Sequence, residues 1–209
     1  MLVLVHSPLV GPLTWGPVAE RLDAVVPSLV DLEPPFWRSI AGKVAAAITE
    51  PAILVAHSNA GLFVPVIARA APVAGCLIVD GRLPGYTARV HDFLRPMVRG
   101  DGLLPPWTEW WGDADMAPLF PDDQTRDAVC AEVPRLPMSY FEEQIPLPAG
   151  WDAKPCGYLR FSEPYAAEAE EAARRGWAVD HLPGLHLHQL VDPDEVSRRI
   201  VAMTRSWGS

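Results

Sequence analysis

Residues 53–61 read Ile53-Leu54-Val55-Ala56-His57-Ser58-Asn59-Ala60-Gly61. Residues 52–56 carry almost no polar content, which is the pattern of a strand covered on both faces. Residues 60–70 are apolar and spaced for a helix, with Pro65 early enough to kink it rather than break it. A strand that passes so abruptly into a helix needs a sharp turn. That turn lifts Ser58 above the carboxyl edge of the sheet. The crowding of strand against helix demands small neighbours two residues to either side, and Ala56 and Ala60 supply them. The first N–H groups of the helix then face the same point, ready for developing negative charge. The simpler alternative is a serine that only caps a helix.

Outward from this turn, short apolar runs alternate with longer amphipathic ones. Strands are expected at residues 2–5, 25–30, 52–56, 75–79, 157–161 and 178–182, the second of them broken at Pro27. Helices are expected at 15–22, 39–48, 60–70, 166–175 and 193–205. This alternation predicts an α/β fold, with a mostly parallel sheet of about six strands and helices on both faces. Residues 85–150 break the pattern. They are rich in proline and hold Trp107, Trp110 and Trp111, with no alternating strand signal. They are expected to form an inserted helical cap on a core made of 1–84 and 151–209.

The composition excludes several classes. The 209 residues suffice for one domain with a full core. Net charge is −9, with 26 acidic against 17 scattered basic residues. No basic cluster exists to displace the counterions of a nucleic acid, and an anionic membrane is disfavoured for the same reason. No apolar run approaches the ~18–20 residues of a membrane span. The N-terminus has no basic region before a long apolar stretch, so a cytoplasmic protein without a signal peptide is expected. Two of the basic residues are lysines and the rest arginines, which with abundant alanine and proline suggests a GC-rich bacterial genome. Cys76, Cys130 and Cys156 form no CxxC pair and are expected to be buried, inert thiols. Neither GxGxxG after the first strand nor GxxxxGK[ST] occurs, so dinucleotide and P-loop readings lose support. No metal or cofactor is expected. The acidic pairs Asp122-Asp123 and Glu142-Glu143 read as solvated faces.

The Ser58 turn resembles the nucleophile elbow of the α/β-hydrolase superfamily, usually Gly-x-Ser-x-Gly, with two conservative exchanges to alanine. The resemblance extends over most of the chain and matches the cap poorly. It implies a base in the loop after the last strand, ahead of a proline that opens the final helix. His186 stands seven residues before Pro193 and fits that place, with His188 a near competitor. It implies a carboxylate that orients the base. In most of the superfamily that acid follows the next-to-last strand, where this chain has Ser162-Glu163-Pro164-Tyr165 and only Glu163 as a carboxylate. Some members place it one strand earlier, where Asp80 ends an apolar run. Asp80 is favoured, because burying a carboxylate there calls for a partner, and Glu163 is the alternative.

The resemblance also implies backbone donors for an oxyanion. Asn59 N–H is one. The other is usually in the first strand–helix turn, which reads His6-Ser7-Pro8-Leu9. Pro8 has no N–H, which leaves Leu9 N–H or the Ser7 hydroxyl. The implied activity is a serine hydrolase, an esterase or thioesterase, acting on a hydrophobic small molecule through Ser58, His186 and Asp80. Trp107, Trp110 and Trp111 are candidate substrate contacts. Two other readings stay open: a lyase, cyclase or dehydratase using the same residues as acid and base, and a ligand-binding protein without turnover.

Overall fold

The computed structural model describes residues 1–85 and 91–207. Five strands are present among these residues: β1 (Leu2–Val5), β2 (Ala52–His57), β3 (Val73–Val79), β4 (Cys156–Arg160) and β5 (Ala178–His181). They form one parallel sheet in the order β1-β2-β3-β4-β5. Side chains alternate between two apolar layers, as the two-residue period of a strand requires. Val3, Val5, Leu54, Ala56, Cys76, Ile78 and Tyr158 face one layer, with helices α2 (Phe36–Ala46), α3 (Val64–Ala70) and α8 (Ala166–Arg174) packed over it. Leu4, Val55, Leu77, Val79 and Leu159 face the other, under α1 (Gly16–Leu22) and α10 (Pro193–Thr204). The short α9 (His188–Val191) lies against both of these helices.

The sixth strand, expected at 25–30, shrinks to a single parallel bridge between Val3 and Val25. Val25 still makes both ladder bonds to β1, giving its N–H to Leu2 O and accepting from Leu4 N. Two residues later Pro27 has no N–H to continue the ladder. The remnant decides where the site lies. β1 has Val25 on one side and β2 on the other, so the chain leaves β1 in both directions. A crevice opens at the carboxyl ends of strands at such a reversal. The loop after β1 and the turn after β2 both end there.

The helix expected at 39–48 begins at Phe36. No residue of its own caps it. Its first N–H groups, of Phe36 and Trp37, instead donate to the Glu143 carboxylate at 2.8 and 2.7 Å. Glu143 therefore ties its own segment to the core and is not a solvated residue. Asp122 caps α6 (Asp123–Glu132) by accepting from Thr125 N. Glu132, at the end of α6, accepts from Leu13 N in the loop after β1.

The described part of 85–150 contains α4 (His91–Leu94), α5 (Asp113–Met116), α6, α7 (Met138–Glu142) and short 3-10 turns, with no strand. Residues 86–90 of the expected cap lie outside the described residues. Trp107, Phe120, Val129 and Tyr140 join the same apolar layer as Ile40 and Phe63. Cys76 and Cys156 are register partners on β3 and β4, both buried, while Cys130 is half-buried. No helix among the described residues is long and apolar enough to cross a membrane.

Candidate active site

The turn after β2 is held in strain. Ser58 has φ +58°, in the left-handed region that an L-residue enters at a cost. A 3-10 turn (Ser58–Phe63) follows and runs into α3, with Pro65 in the first turn of that helix, where its missing N–H costs nothing. The strain is fixed by close backbone packing. Arg82 N donates to Ser58 O at 3.1 Å. A Cβ at Gly81 would fall 2.5 Å from Ser58 O, and one at Gly61 would fall 2.2 Å from Arg82 O. Ala56 and Ala60 are fully buried beside the turn.

Asp80 directly follows β3, with φ +40° and no solvent exposure. Its Oδ1 accepts from Phe161 N and Ser162 N at 2.9 and 2.8 Å. Its Oδ2 accepts from Ser162 Oγ at 2.7 Å and from His186 Nδ1 at 2.8 Å. Burial pushes this carboxyl up, but the bonds from His186 and Ser162 outweigh it, and the net displacement is downward. An ionised carboxylate only accepts, so His186 Nδ1 carries the proton and Nε2 presents its lone pair. That nitrogen lies 3.0 Å from Ser58 Oγ. Ser58, His186 and Asp80 thus form one hydrogen-bonded row.

The alternatives lie elsewhere. Glu163 is exposed and pairs with Arg160, so it does not reach His186. The end of β4 contributes the donors of Phe161 and Ser162 to Asp80 instead of an acid of its own. His188 packs edge-on against Phe161, 5.6 Å between centroids. Leu9 N–H is given to Ser7 Oγ at 3.2 Å, so the expected oxyanion donor at Leu9 is already engaged.

Two buried histidines hold the surrounding loops. His57 Nε2 donates to His186 O at 2.8 Å, fixing the backbone of His186. Its ring lies 4.7 Å from that of His186. His6 accepts from Leu29 N at 2.8 Å through Nε2 and donates from Nδ1 to Ser7 O. Burial lowers the pKa of His6 to about 4 and that of His57 to about 3. Both stay neutral in the native state while the unfolded chain takes up protons below about 6.5. The unfolded state binds more protons there, so stability falls as pH drops from 6.5 towards 4. Each histidine is expected to shift the folding equilibrium by about tenfold per pH unit through that window. Urea denaturation at pH 7 and pH 5 checks this. Equal midpoints would contradict it.

Several contributors left no signal in the sequence. The Tyr165 ring lies flat against His186, 5.1 Å away and tilted by 11°. Its phenol interacts with the Ser58 side chain, and burial raises its pKa to about 12. The Arg82 guanidinium, paired with buried Glu168, covers the ring. The Tyr158 phenol donates to Gly81 O at 2.8 Å and accepts from Gly81 N at 3.1 Å. Tyr158→Phe would leave both groups of Gly81 buried and unpaired. It is expected to cost about 2–4 kcal/mol, read as a lower urea midpoint. An unchanged midpoint would show that Gly81 finds other partners.

Ser58 and His186 line a cavity of about 920 Å³, with Asp80 buried behind them. Trp107, Trp110, Trp111, Phe93, Phe141 and Ile145 supply much of its wall. All three expected tryptophans line it, and Trp107 lies 5.9 Å from the His186 ring.

No protein-family model and no curated protein matches the sequence. Solved structures do match. A variant of tomato methylketone synthase I, complexed with β-ketoheptanoate, superposes with a TM-score of 0.74 at 14% identity, over 99% of this chain and 98% of that one. The methylesterase MES16 from Arabidopsis gives 0.71 at 14% identity, over 98% of each chain. An extracellular α/β-hydrolase from a Paenibacillus species, described as similar to tobacco salicylic acid binding protein 2, gives 0.67 at 14%, over 97% and 98%. The chain has the α/β-hydrolase fold.

Proposed function

We propose that this chain is a serine esterase acting on esters or thioesters of hydrophobic, ring-containing small molecules. The observation that carries the reading is the row Asp80–His186–Ser58, with spacings of 2.8 and 3.0 Å, at the floor of an aromatic-walled cavity. A serine hydroxyl is a weak nucleophile until an adjacent base takes its proton. His186 Nε2 is placed for that, and Asp80 holds its tautomer and stabilises the imidazolium that forms.

The reaction follows from the placement. Ser58 Oγ bonds to the acyl carbon as its proton passes to His186 Nε2. The carbonyl electron pair moves onto oxygen and faces Asn59 N–H. When that pair returns, the bond to the leaving oxygen or sulfur breaks, and His186 delivers its proton there. Water then gives a proton to Nε2, attacks the acyl-enzyme and releases the acid, and Ser58 regains its proton. The segment 85–150 acts as the roof, and its tryptophans offer flat apolar faces to a ring. Several of the matching structures are named as esterases or hydrolases, which agrees with this reading.

The test is a panel of p-nitrophenyl and thiophenyl esters with acetyl, hexanoyl and phenylacetyl groups. Turnover is expected, rising with apolar size. A well-folded protein that hydrolyses none of them would overturn the reading. One feature favours a second chemistry. Pro8 removes a donor near Ser58, which suits an elimination or cyclisation that builds less charge on a carbonyl oxygen. An acyl-enzyme trapped with a slow ester would exclude that alternative.

A further inference from the structure

An ester hydrolase needs more than one donor on the oxyanion, since each contributes about 10²–10³ in rate. After Asn59 N–H, the nearest backbone candidates lie in the loop that follows β1. Pro8 has no N–H, Leu9 N–H goes to Ser7 Oγ at 3.2 Å, and Val10 N–H goes to Ser7 O at 3.0 Å. Beside Ser58 lies a second cavity of about 10 Å³, lined in part by Ser7, His57, Ser58 and His186. That is close to the room taken by one water-sized oxygen.

We infer that the Ser7 hydroxyl is the second oxyanion donor, reaching into this one-oxygen cavity in place of a backbone N–H. The inference rests on the esterase reading above and deepens it. Of the polar side chains lining the cavity, Ser58 is the nucleophile, and Trp107, whose indole carries an N–H, comes from the 85–150 segment and not from the loop after β1. His57 spends its N–H on His186 O, which leaves only a lone pair on Nδ1. His186 spends its own N–H on Asp80. Ser7 accepts from Leu9 N–H, and no acceptor among the described residues takes its proton. That proton is therefore free to point at the oxyanion, and the Leu9 bond polarises the hydroxyl that carries it.

The donor is also held in place. Ser7 is buried, and its carbonyl accepts from both His6 Nδ1 and Val10 N. His6 is tied in turn to Leu29 N. A donor fixed before the reaction needs no reorganisation when charge appears. The group with no N–H, Pro8, and the hydroxyl beside it thus complement each other in sequence: the backbone donor is lost and a side-chain donor replaces it.

The experiment compares wild type, Ser7→Ala, Ser7→Gly and Ser58→Ala on p-nitrophenyl butyrate, with urea midpoints measured on each. Ser7→Ala removes one oxygen atom and is expected to lower kcat about 10²–10³-fold. KM should stay within threefold, and the midpoint should fall only modestly, because Leu9 N–H loses its acceptor. Ser7→Gly should lose as much, and the rate of inactivation by a fluorophosphonate should fall in parallel. If wild type hydrolyses the ester, Ser58→Ala does not, and Ser7→Ala stays within threefold of wild type, the inference is overturned: Leu9 N–H, once released, or Asn59 alone suffices. A wild-type protein inert towards the ester would overturn the esterase reading and this inference together.

Discussion

Ser58→Ala is expected to lower kcat on an activated ester by about 10⁵–10⁶-fold, with the fold intact. On the proposed route this removes the nucleophile, and what remains is the donors and the binding of substrate near water. The stability expectation comes from the backbone. The strain at φ +58° belongs to the main chain and is held by Arg82 N on Ser58 O and by the approach of Gly81. Alanine meets the same strain, so the urea midpoint should move little. Because the row acts as a unit, adding His186→Ala to Ser58→Ala should cost almost nothing further. Additive losses would show that His186 serves a different step.

Asp80→Asn is expected to lower kcat by about 10⁴-fold, the scale seen when an orienting carboxylate becomes an amide and the base is left in the wrong tautomer. Here the cause can be followed atom by atom. Both Asp80 oxygens accept, one from Phe161 N and Ser162 N, the other from Ser162 Oγ and His186 Nδ1. An asparagine has one acceptor and one donor end. Whichever way it turns, an NH₂ group faces a donor. If it faces His186, the imidazole proton shifts to Nε2, and the lone pair that Ser58 needs is lost.

The same substitution carries a pH signature. The Asp80 pKa is lowered in the fold, so its contribution to stability is present above the unfolded value and is lost as pH falls through the folded value. Wild type should therefore exceed Asp80→Asn in stability at pH 7, and the gap should close in acid. Glu163→Gln is the matched control. That carboxylate is exposed and bound to Arg160, so the rate should change by less than about twofold. A large loss there, with a small one at Asp80, would reverse the assignment.

The parts of the site that can be read from sequence are those carried by local pattern. An apolar strand that runs into Ser58 and then a helix leaves the chain little choice but a sharp turn there. Asp80 stands out because a carboxylate at the end of so apolar a run is costly without a partner. His186 is marked by its spacing from Pro193. The parts that cannot be read depend on chain segments far apart. Glu143 caps a helix more than a hundred residues earlier, and nothing in its sequence neighbours hints at it. Tyr158 and Ser162 act on the Asp80 turn across the strand interface. Tyr165 stacks on a histidine from a different loop. The strand expected at 25–30 fails for a local reason that its hydropathy conceals: Pro27 cannot give the ladder its N–H, and only the bridge at Val25 remains.

The aromatic wall shows the same division. Three tryptophans in five residues announce an aromatic surface, but not which of them lies beside His186. Trp107 is buried beside His186, while Trp111 is 43% exposed. On the proposed reading, any loss of substrate affinity on replacing one of them should therefore depend on depth, with the largest at Trp107, which lies against His186.

The most direct test of the central claim, an activated serine at position 58, is intact-mass analysis after incubation with a fluorophosphonate. Wild type, Ser58→Ala and His186→Ala would be compared on the whole folded chain. One adduct on wild type, absent from Ser58→Ala and strongly slowed in His186→Ala, is the predicted result. A wild-type protein that stays unmodified, or an adduct that persists in Ser58→Ala, would contradict it.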